Sequence, residues 1–381
     1  MTISNQDDVI SALTSGRVAH RDFAKNITPA ATAGGWHTTM GLLGYPVQST
    51  FPGTSLLWQA CDDFSGDGTN RFGMDHGGIP GGGMTKHILN VGMSLVAAAG
   101  APWQAKLVDL QGYYRLSGTD VTGTGSRTLI NTNTFTASSS SGLLLTYTND
   151  FVSGTKVRFT TTTTLPTGLS LATDYWLIRV SATTARVATS YANYVAGTAI
   201  AFTDAGTGTH TLTIQMGRGS AGCLASFVVG TAPTAGGPNL TASSYTNSAG
   251  TPGRAFTSSP TMGAAADAYA GRVLHSGNAA GRYGAFLPLA SGDTGVASIQ
   301  SFTFSGGTAY TGAGVLGLCI AKPILDLPPS ATGQWTEREL LNQFPSFPKI
   351  EDGACLVWML FGTGATTNLS PITSTFDFIW G

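Results

Sequence analysis

The stretch TKVRFTTTT at residues 155–163 sets Val157 and Phe159 in strict alternation with Lys156 and Arg158. A period of two places the apolar pair on one face of a strand and the cations on the other, as in a sheet with one dry and one wet side. The same texture continues outward in both directions. LLLTYT (143–148), DYWLIRV (174–180), TARVATS (184–190), TAIAFT (198–203) and THTLTIQ (209–215) are short runs of the same kind, divided by NDFVSG, LPTGLS, SYANYVAG and DAGTG. Those dividers are built from the residues that turns select. The pattern predicts a small Ig-like β-sandwich over 134–216. The serine run at 138–141 and GRGSAG at 217–222 read as loose junctions on either side. The expected organisation is a host β domain in two parts, 1–133 and 217–381, with the sandwich inserted between them.

Elsewhere, apolar stretches separated by Gly, Ser, Thr, Asn and Pro again indicate strands and turns, and two short helices interrupt them. Near the N-terminus, Ser4 and Asp7 stand at capping-box spacing ahead of the stripe Val9, Ile10, Leu13, with Gly16 as the stop. Thr336 and Glu339 repeat the spacing before Leu340, Leu341 and Phe344, and Pro345 ends that run. The fold class is therefore mainly β: a β-sandwich or barrel-like host domain, an inserted Ig-like β-sandwich and a few short helices.

Composition narrows the function classes. Only 10% of the 381 residues are charged and 51 are glycine, against a usual share of about 25% charged and about 7% glycine, which excludes coiled coils and charged disordered tails. Nineteen basic and 20 acidic residues leave a net charge of −1. No strong field is available for duplex nucleic acid or an anionic membrane, and neither is expected as a partner. The N-terminal residues lack a basic then apolar pattern, so no secretory leader is expected. Cys61, Cys223, Cys319 and Cys355 are far apart, three of them in apolar surroundings, which suits buried reduced thiols.

The region NDFVSGTKVRFTTTTTLPTGLSLATDYWLIRVSATTARVATS (149–190), with the closing AIAFTDAGTGTHTLT (199–213), resembles a β-sandwich module that recurs in structural proteins of tailed bacteriophages. The likeness is carried by Gly154 and Val157 opening a strand, the Leu-Pro-x-Gly-Leu turn at 165–169, Tyr175 with Trp176, and the Asp-x-Gly-x-Gly turn at 204–208. The flanking PWQAKLVDLQGYYRLSG and the terminal PITSTFDFIWG are similar to head-associated phage proteins. The resemblance implies a structural virion protein, made in the host cytoplasm and located on the outer head surface as a capsid decoration or cement protein. A homo-oligomer, with a trimer favoured, and contact with the major capsid protein or other virion proteins follow from it. A tail-associated, glycan-binding host-recognition protein is the alternative.

Candidate chemistry is sparse, and no enzyme and no cofactor are expected. Asp63, Ser65 and Asp67 with Gly68 match the early positions of an EF-hand loop, but the position that needs a bidentate Glu is Met74, so they are weak metal candidates. The HGG run at 76–78 lacks the G-x-S-x-G elbow a hydrolase would pair with it. Gly217, Gly219 and Gly222 satisfy G-x-G-x-x-G but precede an apparent strand, CLASFVVG, where a phosphate site needs a helix. Six scattered histidines show no ligand spacing. Aromatic residues supply the remaining candidates. Phe23, Trp36, Phe376, Phe378 and Trp380 are expected at interfaces with neighbouring subunits, and Tyr175, Trp176, Tyr191 and Tyr194 at a glycan contact.

Overall fold

The structure is a computed structural model, and it describes residues 3, 6–25, 35–39, 51–62, 73–74, 76–77, 84–95, 102–138, 144–257, 260–264, 270–275, 284–331, 333–341, 347–362 and 372–381. Its spine is the antiparallel pairing of two long strands, Pro102–Ser117 and Val315–Ala331. Leu224–Thr231 extends that sheet on one side, Leu356–Gly362 and Gly35–Thr38 on the other, and Trp58–Ala60 adds to the far end of the 102–117 strand.

Alternation along the spine divides its side chains between two faces. Trp103, Ala105 and Leu107, with Leu325 and Leu327, meet a second sheet ordered Val18–Lys25, Ile372–Trp380, Lys86–Leu95, Trp335–Glu339, in which Lys349–Ile350 also pairs with the 86–95 strand. Ile88, Val91, Met93, Phe376 and Phe378 of that sheet complete this core, and Trp358 stacks on Phe376 at 5.8 Å. Farther along, Tyr114, Leu116, Leu316 and Leu318 meet Phe302 and Phe304 of a third sheet, Ala235–Asn247, Val296–Thr311 and Gly125–Thr128. Val108, Leu110, Cys319, Cys355 and Val357 form a further core with Trp36 and Phe51. The host part is thus a layered sheet packing, each fully buried large side chain contributing roughly 1.5–3 kcal/mol over exposure.

The 134–216 region, expected as a small Ig-like β-sandwich, is a β module in closed form. Tyr175–Ser181, Thr184–Ala188, Leu144–Tyr147, Thr132–Ser138, His210–Gln215 and Lys156–Thr161 pair in that order, and the last returns to the first to close a barrel. Closure leaves no strand edge in the ring. The alternation of 155–163 survives intact: Val157 and Phe159 are buried, while Lys156 and Arg158 lie outside, both paired with Asp174 at 2.8 and 2.5 Å. TAIAFT forms no strand; Ile200 gives a single backbone bond to Val187. The two turns of the family pattern brace each other. Asp204 accepts from Thr167 N at 3.1 Å, from Thr167 Oγ1 and from Gly206 N at 2.8 Å. A Cβ on Gly206 would fall 2.6 Å from Thr164 O, so that turn needs glycine for space as well as for its φ of 68°.

GRGSAG is not a loose junction. Arg218, buried, donates from Nε to Asp109 Oδ2 at 2.8 Å and Oδ1 at 3.0 Å and from Nη2 to Leu110 O at 2.6 Å, and its backbone N reaches Gln111 Oε1 at 3.0 Å. At the entrance, Tyr114 donates to Asn131 Oδ1 at 2.5 Å and Asn131 donates to Ile299 O at 2.8 Å. The barrel interior, with Phe135, Phe159 and Leu212, runs on into the host core through Ile214, Met216, Leu57 and Trp58.

Helix Gln6–Thr14 forms where it was expected, but it buries Val9 and Ala12 and leaves Ile10 and Leu13 of the expected stripe exposed; Gly16 takes a φ of 72° just beyond it, and Ser4 lies outside the described residues. Where the second helix was expected to begin, Trp335–Glu339 is a strand, and 342–346, with Phe344 and Pro345, lie outside the described residues. Trp335–Glu339 pairs with the 86–95 strand, Glu337 opposite Gly92 and Glu339 opposite Asn90. Its residues alternate outward and inward, W-T-E-R-E, and the ladder bonds of an otherwise open edge outweigh a capping-box signal worth about 1 kcal/mol.

Arg218→Met leaves the Asp109 carboxylate buried without its cation, and the expected loss is about 3–5 kcal/mol in equilibrium urea unfolding. The double variant Asp109→Leu with Arg218→Met is expected to lose less than the single, because no charge is then stranded.

Candidate functional site

The outer face of the 18–25/372–380/86–95/335–339 sheet gathers a connected set of polar groups. Register sets them in rows: His20 opposite Asp377, Asp377 opposite Asn90, Asn90 opposite Glu339; and Asp22 opposite Thr375, Thr375 opposite Gly92, Gly92 opposite Glu337. Hydrogen bonds then run across the face. His20 Nε2 meets Asp22 Oδ1 at 2.9 Å and Nδ1 meets Asp377 Oδ1 at 2.7 Å. Asn90 Nδ2 donates to Glu337 Oε1 at 2.5 Å and to Asp377 Oδ2 at 3.4 Å. The hydrogen bond to Asp377 holds the His20 pKa above its ordinary 6.5, against slight desolvation and with help from Asp22. Trp335 stands in the next row, its ring over Gly92.

A second concavity lies on the barrel, a groove of about 480 Å³ lined by Thr134, Thr136, Thr146 and Thr148 on the hairpin and by the 205–210 segment. Its lining also includes Phe135, Ala137, Tyr147 and His210, and carries no carboxylate or ammonium group. His210 is committed within the barrel, Nδ1 to Thr161 Oγ1 at 2.9 Å and Nε2 to Ala205 O at 3.1 Å.

Most of the residues expected at an interface or a ligand turn out to be internal. Phe376 and Phe378 are buried in the sandwich core, the latter 5.6 Å beneath Lys86 Nζ, and Trp36 is buried with Lys106 5.7 Å from its ring. Strand alternation turns them inward and leaves them no area for a neighbouring subunit. Phe23 and Trp380 are half-buried. Of the four expected glycan contacts, Tyr175 is buried with its hydroxyl accepting from Ser170 N at 2.8 Å, and Tyr194 is buried beside Gly154. Tyr191 lies against Gly353, where a Cβ would fall 2.4 Å from its ring, and Trp176 packs under Lys156 Nζ at 5.4 Å. These four do not form one platform.

Asp63, Ser65 and Asp67 lie outside the described residues; Met74 is buried, its N bonded to Leu356 O at 2.8 Å. Among the described residues no three His, Cys, Asp or Glu side chains converge as a metal site. All four cysteines are reduced and buried, and burial pushes the Cys61 and Cys319 thiols well up and Cys223 to about 12. Such thiols are poor nucleophiles at neutral pH. Gly222 leads into the strand Leu224–Thr231, with no helix N-terminus for a phosphate. Among the described residues no helix is long and apolar enough to cross a membrane.

The Trp335 surface escaped the sequence reading, although period-two alternation was visible in WTERE; the capping-box spacing of Thr336 and Glu339 drew that segment toward a helix. No protein-family model matches the chain, and no curated protein does. A solved structure described as that of infectious bursal disease virus, Gx strain, aligns over 95% of this chain and 80% of its own at 10% identity, with a TM-score of 0.17. That overlap is too low to show a shared fold.

The raised His20 pKa is a stabilising interaction of the protonated form, fully present below pH 6.5 and lost as pH rises through the folded-state value. Asp377→Asn is expected to bring the His20 titration, followed by NMR of the ring protons, back toward 6.5. In the same spectra His37 and His275, held neutral by burial and, for His37, by Arg272 as well, are expected to titrate only near pH 3.

Proposed function

We propose that this chain is a structural protein of a virus particle, and more finely a decoration or cement subunit on the outer head of a tailed bacteriophage. It performs no bond chemistry and acts as an oligomer against the capsid protein. The observation that carries the reading is the union of the barrel with the layered body. A module of the kind the 149–213 sequence resembles is rooted on the central sheet and the third sheet through a continuous core and the buried Arg218–Asp109 pair. A stiff mount of this kind suits a module displayed on a shell, with the body as the adhesive part.

With Phe376, Phe378 and Trp36 internal, the exposed apolar side chains that the described part of the body offers for adhesion include Ile10, Leu13 and Val18, exposed by 57, 45 and 39%, while Leu171 and Val180 are exposed on the barrel. Ile10 and Leu13 are three residues apart and share one helix face. Val18 opens the 18–25 strand, which pairs on one side only among the described residues. An open strand edge beside apolar side chains is a natural place for a neighbour to add. Each 100 Å² of apolar area covered there contributes about 2.5 kcal/mol before the costs of association.

Purified chain is expected to co-sediment with undecorated heads, and immunogold label to cover the head shell. Ile10→Asp with Leu13→Asp should remain folded by circular dichroism and lose co-sedimentation. A monomer indifferent to heads, or label confined to tail tips, contradicts the proposal.

A further inference from the structure

Trp335 is the only Phe, Tyr or Trp among the described residues whose side chain is exposed, at 47%. It is also held in place. A Cβ built on Gly92 would fall 2.2 Å from its Cζ2, 2.7 Å from its Cε2 and 3.0 Å from Thr375 Oγ1. Glycine in a strand interior weakens the strand, and here its absent side chain lets the indole lie down on the sheet with nearly half its surface open. The body needs no such ring for its core, since Trp335 belongs to none of the buried clusters.

Beside the ring, the same face carries Thr375, whose Oγ1 borders the Gly92 position, and Asn90, Glu337 and Asp377, in which the Asn90 amide bonds to both carboxylates. A pyranose offers an apolar face of C–H groups and a rim of hydroxyls. An indole supplies the partner for the first, and carboxylates, an amide and a hydroxyl supply acceptors and donors for the second. Asp22, Asp377, Glu337 and Glu339 outnumber His20 on this face, so an acidic sugar is repelled and a neutral one is not. We propose that this sheet face is a saccharide-binding platform for neutral, pyranose-containing glycans, with Trp335 as the stacking residue and Glu337, Asn90, Asp377 and Thr375 as partners of the sugar hydroxyls. The site shares no residue with the barrel groove, and it holds wherever the chain sits on a particle.

The test uses the full chain on an array of neutral hexose and N-acetylhexosamine glycans beside sialylated and uronate-containing ones, followed by calorimetric titration of the strongest neutral binder. Neutral glycans are expected to bind and acidic ones not. Trp335→Ala should weaken the titrated glycan by about tenfold or more, Trp335→Tyr by less, and Glu337→Gln several-fold. The melting temperature of Trp335→Ala should stay within a few degrees of the parent, as befits a half-exposed side chain. Absence of neutral-glycan binding at millimolar concentration, a preference for acidic glycans, or undiminished binding by Trp335→Ala overturns the proposal. So does a Trp335→Ala chain that keeps its glycan and loses only its hold on phage heads, which would assign the face to a protein.

Discussion

Asp109 places a carboxylate in the middle of the central sheet, opposite Lys322 on one side and Leu356 on the other, and the whole arrangement has to accommodate it. A charge buried among sheet strands is tolerable only with a cation and a full set of hydrogen bonds. The sequence supplies them from three places: the Arg218 guanidinium, the Gln111 amide at 2.7 Å and the Cys355 backbone N at 2.9 Å. Burial opposes the Arg218 charge, yet Asp109 outweighs it and keeps the guanidinium protonated well beyond its ordinary range. Arg218 stands three residues beyond Gln215, the end of the last barrel strand. Satisfying Asp109 therefore fixes where the barrel leaves the sheet, a matter of register more than of net stability, since apolar side chains could fill the same space at no greater energy.

The spine gives that constraint something rigid to act on. Two strands of more than a dozen residues each present three separate patches, and a different layer covers each. Sheet faces turned inward are apolar and tightly packed; the one turned outward beside Trp335 is polar and hydrogen-bonded within itself. The chain thus offers its environment two kinds of surface, an apolar helix face beside an open strand edge and a polar sheet face with a single seated ring. Both depend on the sheets beneath them keeping their register.

Strand content was legible because a period of two survives in single segments such as TKVRFTTTT, where burial on one face is decided locally. Closure of the barrel was not, since it depends on Tyr175 and Trp176 meeting Val157 and Lys156, a pairing between segments that alternation alone does not choose. The same limit explains Phe376 and Phe378. An aromatic run near a chain end reads equally well as adhesive or as core, and only the neighbouring 86–95 strand turns it inward. For residues 335–339 two local signals conflicted, and the open edge of that strand decided between them. Arg218 was hidden for another reason: a lone arginine among glycines carries no mark of the aspartate far back in the chain that it must neutralise.

Native-state hydrogen exchange followed by mass spectrometry tests most directly whether barrel and body are one mechanical unit. Amides of the 102–117 and 315–331 strands are expected to exchange last, with those of the 156–161 and 210–215 barrel strands protected to the same free energy within about 1 kcal/mol, because one core and one ion pair hold both. Barrel amides that open several kilocalories per mole below the spine, in a separate step, would contradict the account.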